Sequence, residues 1–380
     1  MAGNFFPVNR KVLDKLIAHF RPDQWAKPII AYLVLCKHQQ RGKPYTTAGS
    51  LAIAKVLGIT RYRAEELIRE LEKVQWGEAS HERAIVNHRV LKNQPEMGCP
   101  HTIGLFPVKA LPRISEDCIW LPNRILEEKD GNPPPLRRLT AIQPVSDRYD
   151  TLSLLLHCYA YHDVEGSGGL DPRQTFYAPW CHEGSCLEDE GRLGYQGAQK
   201  DGREKWHFWL VSKTDEMSAT KSFIETVTEG DSDRFFQAVH HLKELGFLIE
   251  VAMVFDRDPL TSPSAEPLYP LRIFDALYRE NAKELDNGTG GLYGETFNCL
   301  DRSALMEETV GDFRYTIFQS YEYGGEASGF YVVAGTVKTA TVLSVYRLRF
   351  CAHDRDTGIG FQAEADRAGH WKERLDQAFR

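Results

Sequence analysis

Three consecutive side chains, Arg61, Tyr62 and Arg63, are the best placed in this sequence for chemistry with an anionic partner. A guanidinium presents a planar fork of donors that matches phosphate oxygens and base-edge acceptors. A tyrosine adds a hydroxyl and an aromatic face. The three open a helix-patterned stretch, and a helix start carries partial positive charge. Cations there are unfavourable by roughly 0.3–1 kcal/mol each. A helix shaped by stability alone would begin with Asp or Glu, whereas Arg-Tyr-Arg suits a helix start turned toward phosphates and bases. The plainer alternative is pairing along the helix, Arg61 with Glu65 and Glu65 with Arg69.

The stretch Thr47–Val74 must position these groups. Its pattern predicts helix, tight turn, helix. Thr47 is expected to cap the first helix, with Leu51, Ala52, Ala54, Val56 and Leu57 as its apolar residues. Gly58 is free to take a positive φ in the turn, and Thr60 is placed to cap the second helix. In that helix Ala64, Leu67, Ile68, Leu71 and Val74 recur at helical spacing, which predicts one buried stripe. Upstream, helices are expected over Arg10–Phe20 and over 25–40, the second with Pro28 in its first turn. Arg41 and Lys43 lie in a basic loop between that helix and Thr47. Downstream, β-formers from Arg83 to Leu91 and from His101 to Val108 predict a two-stranded hairpin. Arg83, His88, Arg89 and Lys92 would give it a basic face.

Leu51-Ala52-x-Ala54-x-x-Leu57-Gly58-Ile59-Thr60, followed by Ala64-x-x-Leu67-x-x-x-Leu71, resembles the winged helix-turn-helix superfamily. Bacterial repressors and plasmid replication initiators belong to it. The resemblance covers residues 25–108, under a quarter of the chain. It implies a basic winged-helix domain over 1–112 that binds double-stranded DNA. Arg61, Tyr62, Arg63 and Arg69 would then approach the major groove, with Thr47 and Thr60 at the helix starts. Arg41, Lys43, Arg83, His88, Arg89 and Lys92 would meet phosphate or the minor groove.

Residues 113–148 read as a Pro-rich connector, with a breaker cluster at Asp130–Pro135 and a solvated basic spot at Leu136–Leu139. Residues 149–258 read as a second, degenerate winged helix carrying an insertion at 163–205. Helices are expected over Tyr149–Tyr161, Asp215–Thr228 and Asp233–Leu245, and strands over Trp206–Val211 and Phe247–Phe255. Arg234, His240, His241 and Lys243 would be the outward residues of the last helix. Residues 259–380 form a mixed region: a helix over Leu271–Leu285, strands over Phe313–Ser320, Phe330–Val337 and Thr341–Phe350, and a charged helix from Ala368. The fold class expected is therefore α+β.

Charge divides the chain. Residues 1–113 hold 18 Lys+Arg against 9 Asp+Glu, or +9; the remaining residues hold 28 against 44, or −16, which together give the net −7. A basic part inside an acidic chain points to nucleic acid for the basic part. The acidic two-thirds suits a homodimer contact or a protein partner. No apolar run approaches the ~20 residues that span a bilayer, and eight scattered cysteines predict reduced thiols in a cytoplasmic protein. Cys181, His182 and Cys186 lack the paired spacing of a zinc site, so no metal is expected. Phosphate loops, dinucleotide fingerprints and nucleophile motifs are missing as well. The expectation is a non-catalytic protein without a cofactor. It would bind DNA in transcription regulation or plasmid or phage replication, or else serve as an interaction subunit of a larger complex.

Overall fold

The structure is a computed structural model. It describes residues 5–20, 26–39, 45–76, 83–89, 102–105, 118–129, 131–182, 207–214, 216–274, 316–319, 329–335 and 341–350. The chain opens with strand β1 (Phe5–Asn9) and helix α1 (Arg10–His19), which Asn9 caps by accepting from the Val12 amide. Helix α2 (Ala26–Lys37) is buried from Pro28 to Cys36. A helix that is apolar all round belongs at the centre of a helical layer, and α3 (Ser50–Leu57) and α4 (Arg61–Glu72) pack on it.

Short strands surround these helices. Between α2 and α3 lies β2 (Tyr45–Thr46); after α4 come β3 (Gln75–Trp76), β4 (Arg83–Ala84), β5 (Val86–Arg89) and β6 (Thr102–Leu105). The expected hairpin forms, β5 pairing antiparallel with β6 from Val86↔Leu105 to Arg89↔Thr102. Strand β2 extends it to an antiparallel sheet of order β2-β6-β5.

The segment read as a connector contributes structure. Strand β7 (Cys118–Pro122) pairs with β1, and a 3-10 turn and α5 (Pro135–Leu139) follow. Leu136 and Leu139 are fully buried. Helix α6 (Val145–Tyr161) runs longer than expected and is buried from Asp150 to Cys158.

Beyond α6 the chain forms β8 (His162–Asp163), the short helix α7 (Val164–Ser167), β9 (Gly169–Leu170), β10 (Phe176–His182), β11 (His207–Lys213) and β12 (Ser218–Ala219). Two helices follow, α8 (Lys221–Thr228) and α9 (Ser232–Glu244). Five strands complete the described chain: β13 (Leu248–Phe255), β14 (Pro267–Phe274), β15 (Thr316–Gln319), β16 (Gly329–Gly335) and β17 (Thr341–Leu348). They join an eight-stranded antiparallel sheet of order β14-β13-β17-β10-β11-β16-β15, with β12 paired to β10.

Two expectations are corrected here. The stretch 163–205 is not wholly an insertion, because Phe176–His182 lies inside the sheet between β17 and β11, with Phe176 fully buried. Leu271–Leu285 does not begin as helix. Pro267–Phe274 is a strand paired with β13, for example Val251↔Ile273. Pairing with a strand buried on both faces overrides the local helical spacing. Residues 275–285 and the expected C-terminal helix lie outside the described residues.

Two compact units result. The first comprises Met1–Ala160, Asp231–Phe247 and Phe350–Asp354; the second comprises Tyr161–Gly230, Leu248–Arg349 and Arg355–Arg380. The first unit is mainly helical with small sheets. In the second, Ile249, Val251, Met253 and Phe255 pack with Leu343 and Val345, and Tyr177 covers them. Phe176 meets Tyr346 at 4.9 Å between ring centroids. The protein is thus α+β. Among the described residues no helix is long and apolar enough to cross a membrane.

Candidate nucleic-acid interface

The candidate interface rests on the α3–α4 pair in the first unit. Helix α3 stops because Gly58 adopts the left-handed conformation at φ 65°, its amide bonding to the Ala54 carbonyl. L-residues pay roughly 1–2 kcal/mol for that conformation. Thr60 then caps α4, its hydroxyl accepting from the Arg63 amide at 3.3 Å. Ala64, Leu67, Ile68, Leu71 and Val74 are all buried, as their spacing requires. The opposite consequence is that Thr60, Arg61, Tyr62, Arg63 and Arg69 are exposed together.

The start of α3 departs from expectation. Its N-cap is Gly49 and makes no side-chain cap bond, so Thr47 is not the cap. Thr47 is exposed. The neighbouring Thr46 hydroxyl accepts from the Ala48 amide at 3.1 Å and shapes the entry to the helix. Leu51 points to solvent at 72% exposure, while Ile53 is fully buried. With the helix starting at Ser50, positions 53, 54, 56 and 57 turn inward and position 51 turns out.

The cations of α4 are held. Arg61 Nε donates to Glu65 Oε1 at 3.1 Å and to Ser50 Oγ at 3.3 Å; Ser50 Oγ in turn donates to Glu65 at 3.4 Å. Arg63 Nη1 donates to Glu66 Oε2 at 2.7 Å. That bond holds the Glu66 carboxyl below its ordinary pKa, with the Arg63 charge and a Tyr62 hydrogen bond acting the same way. The intrahelical pairing of Arg61 with Glu65 is therefore present, and a further pair, Arg63 with Glu66, accompanies it. Among the described residues Arg69 makes no ion pair. Glu65, Glu66, Glu70 and Glu72 outnumber the three arginines of α4, so its positive character is confined to the first turn.

Other expected contacts are placed only in part. Arg83, His88 and Arg89 lie on β4 and β5, where the backbone path alone is described. Arg41, Lys43 and Lys92 lie outside the described residues. Cys181 and His182 end β10, and Cys186 lies outside the described residues. Among the described residues no cluster of His, Cys, Asp or Glu has the arrangement of a metal site.

Helix α9 does not offer the outward set expected of it. Arg234 forms a two-pronged bond with Asp150 of α6, at 2.8 and 2.7 Å, and Asp150 is buried. Burial raises the Asp150 pKa, and Arg234 opposes that rise. His241 Nε2 lies 3.3 Å from Asp147 Oδ2. His240 is exposed and pairs with Glu244 at 3.2 Å. Two of the four residues thus fasten α9 to α6, because the helix turns its basic side to that neighbour's acidic one.

Sequence reasoning named the Arg61–Glu65 pair but missed Ser50, Glu66 as the partner of Arg63, and Arg137. The guanidinium of Arg137 packs against Gly58. The Glu residues at i+3 and i+4 were a legible signal for the pairs; nothing local marks Ser50 or Arg137. No family model, curated protein or solved structure matches this chain.

Proposed function

We propose that this protein binds double-stranded DNA sequence-specifically, acting in transcription regulation or in the initiation of plasmid or phage replication. The observation that carries the reading is the capped α3–Gly58–α4 pair. It packs on α2, lies in the chain between β2 and the β5–β6 pair of one small sheet, and exposes Arg61, Tyr62 and Arg63 on one helix start. This order of elements is that of a winged helix-turn-helix, in which α4 enters the major groove and the β5–β6 hairpin is the wing. The basic balance of residues 1–113 agrees with it. The protein works in the cytoplasm, without a catalytic residue, metal or cofactor.

A second winged helix belongs to the same reading. As Gly58 and Thr60 precede α4 in the chain, two positive-φ residues (Glu229 and Gly230) and the Asp231 cap precede α9. Its N-terminal turn carries Asp233 and is fastened through Arg234, so it does not read bases.

The test is binding of the full chain to random and to selection-enriched duplexes at two salt concentrations. Enriched sites should bind more tightly, and log affinity should fall linearly with log salt. Substituting both Arg61 and Arg63 by alanine should weaken binding and flatten that slope. Salt-independent binding, or no effect of the substitutions, removes the reading. A second reading, an interaction subunit of a larger complex, draws on the carboxylates that already neutralise Arg61 and Arg63.

A further inference from the structure

Large apolar side chains seldom reach solvent among the described residues, and the two most exposed are Leu51 at 72% and Tyr62 at 66%. They sit one residue beyond a clasp. Ser50, just before Leu51, bonds to Arg61, just before Tyr62, and Glu65 accepts from both. The clasp fixes the first turn of α3 against the first turn of α4, which puts both apolar groups on adjoining helix starts. A lone exposed leucine is ordinary; two large groups on adjoining turns mark a contact surface.

We infer that Leu51 and Tyr62 recognise the 5-methyl group of thymine in the major groove, an inference that rests on the DNA reading above. Along the major groove, base edges present acceptors, donors and one apolar feature, the thymine methyl. The arginines flanking Tyr62 already give hydrogen bonds to Glu65 and Glu66, so what Leu51 and Tyr62 add beyond charge is apolar contact. Exposed guanidinium groups on both sides of Tyr62 favour a polyanion over an apolar protein partner as the occupant. Leu51 and Tyr62 are then specificity-determining residues, and the sites bound are ones with thymine opposite the start of α4.

The experiment uses the full chain and a duplex enriched from a random pool, resynthesised with deoxyuracil in place of each thymine in turn. At one or two positions, loss of the methyl should weaken wild-type binding about fourfold, the equivalent of one buried methyl group. Leu51→Ala combined with Tyr62→Ala should bind the thymine and uracil duplexes equally while keeping the wild-type salt slope and denaturation midpoint. Equal wild-type binding to thymine and uracil sites overturns the inference and leaves the DNA reading standing. A dimer that Leu51→Ala dissociates also overturns it, since a second copy would then cover the surface. Failure of the pool to enrich any sequence, with salt-independent binding, removes the DNA reading itself.

Discussion

The guanidinium of Arg137 lies against Gly58, in the space a Cβ at position 58 would need. The left-handed backbone holds glycine in the turn, and the tip of a flexible side chain from α5 fills the space beside it. Gly58→Ala should destabilise the protein by roughly 1–2 kcal/mol from the backbone alone. Displacement of Arg137 adds to that. Arg137→Ala, made in the Gly58→Ala background, should recover the second part and leave the first. Urea midpoints of the two single variants and the double variant separate them.

Stability and binding should come apart on α4. The pairs Arg61–Glu65 and Arg63–Glu66 are exposed, and such pairs contribute about 0–1 kcal/mol. Arg61→Ala with Arg63→Ala should leave the denaturation midpoint nearly unchanged while DNA affinity falls. Thr60→Ala should do the reverse in part, losing about 1 kcal/mol of helix capping. Thr60→Ser should restore it. Equal effects of both changes on stability would contradict this assignment.

Breaking the Asp150–Arg234 bond should be costly. Removing one partner of a buried pair costs about 3–5 kcal/mol. Arg234 is 40% exposed here, so about 2 kcal/mol is expected for Arg234→Ala. Arg234→Lys should recover only part, because an ammonium cannot make the two-pronged bond. Chemical denaturation of both variants checks the order.

Acid should weaken the fold through His157. Burial lowers its pKa, against the opposing effects of its bond to the Ser153 carbonyl and of the Asp14 charge. His38 shifts the same way, again through burial. A histidine depressed in the folded state contributes stability above its unfolded value, about 6.5, and that stability is lost as pH falls through the lower folded value. Unfolding free energy measured between pH 7.5 and 5.5 should therefore decline. The decline should be shallower in His157→Gln than in the wild type.

Local signals made α4 legible: a cap residue, a glycine turn and five apolar positions at one period. The same signals misplaced Leu51, since apolar content says inward until the first residue of the helix is fixed. That start depends on Gly49 and on the Thr46 hydroxyl, not on the more obvious Thr47. Strand β2 is two residues long and takes its place by pairing with β6, far along the chain. The partner of Arg234 lies 84 residues away, beyond any spacing rule. The strand Leu248–Phe255 was plain as an apolar run, but its neighbours β14 and β17 are set by pairing across the chain. The clasp of Ser50, Arg61 and Glu65 needed the two helices brought together before it could be seen.

The first compact unit draws residues from Met1–Ala160 and again from Asp231–Phe247 and Phe350–Asp354. During synthesis, then, the unit holding α4 cannot be completed when Ala160 emerges from the ribosome. Until residue 234 emerges, Asp150 stands without its guanidinium, and α6 lacks the helix that fastens to it. A nascent or truncated chain ending near residue 160 carries α4 in a unit that still lacks its later segments. Completion of the first unit is thereby deferred until well over half the polypeptide has been made.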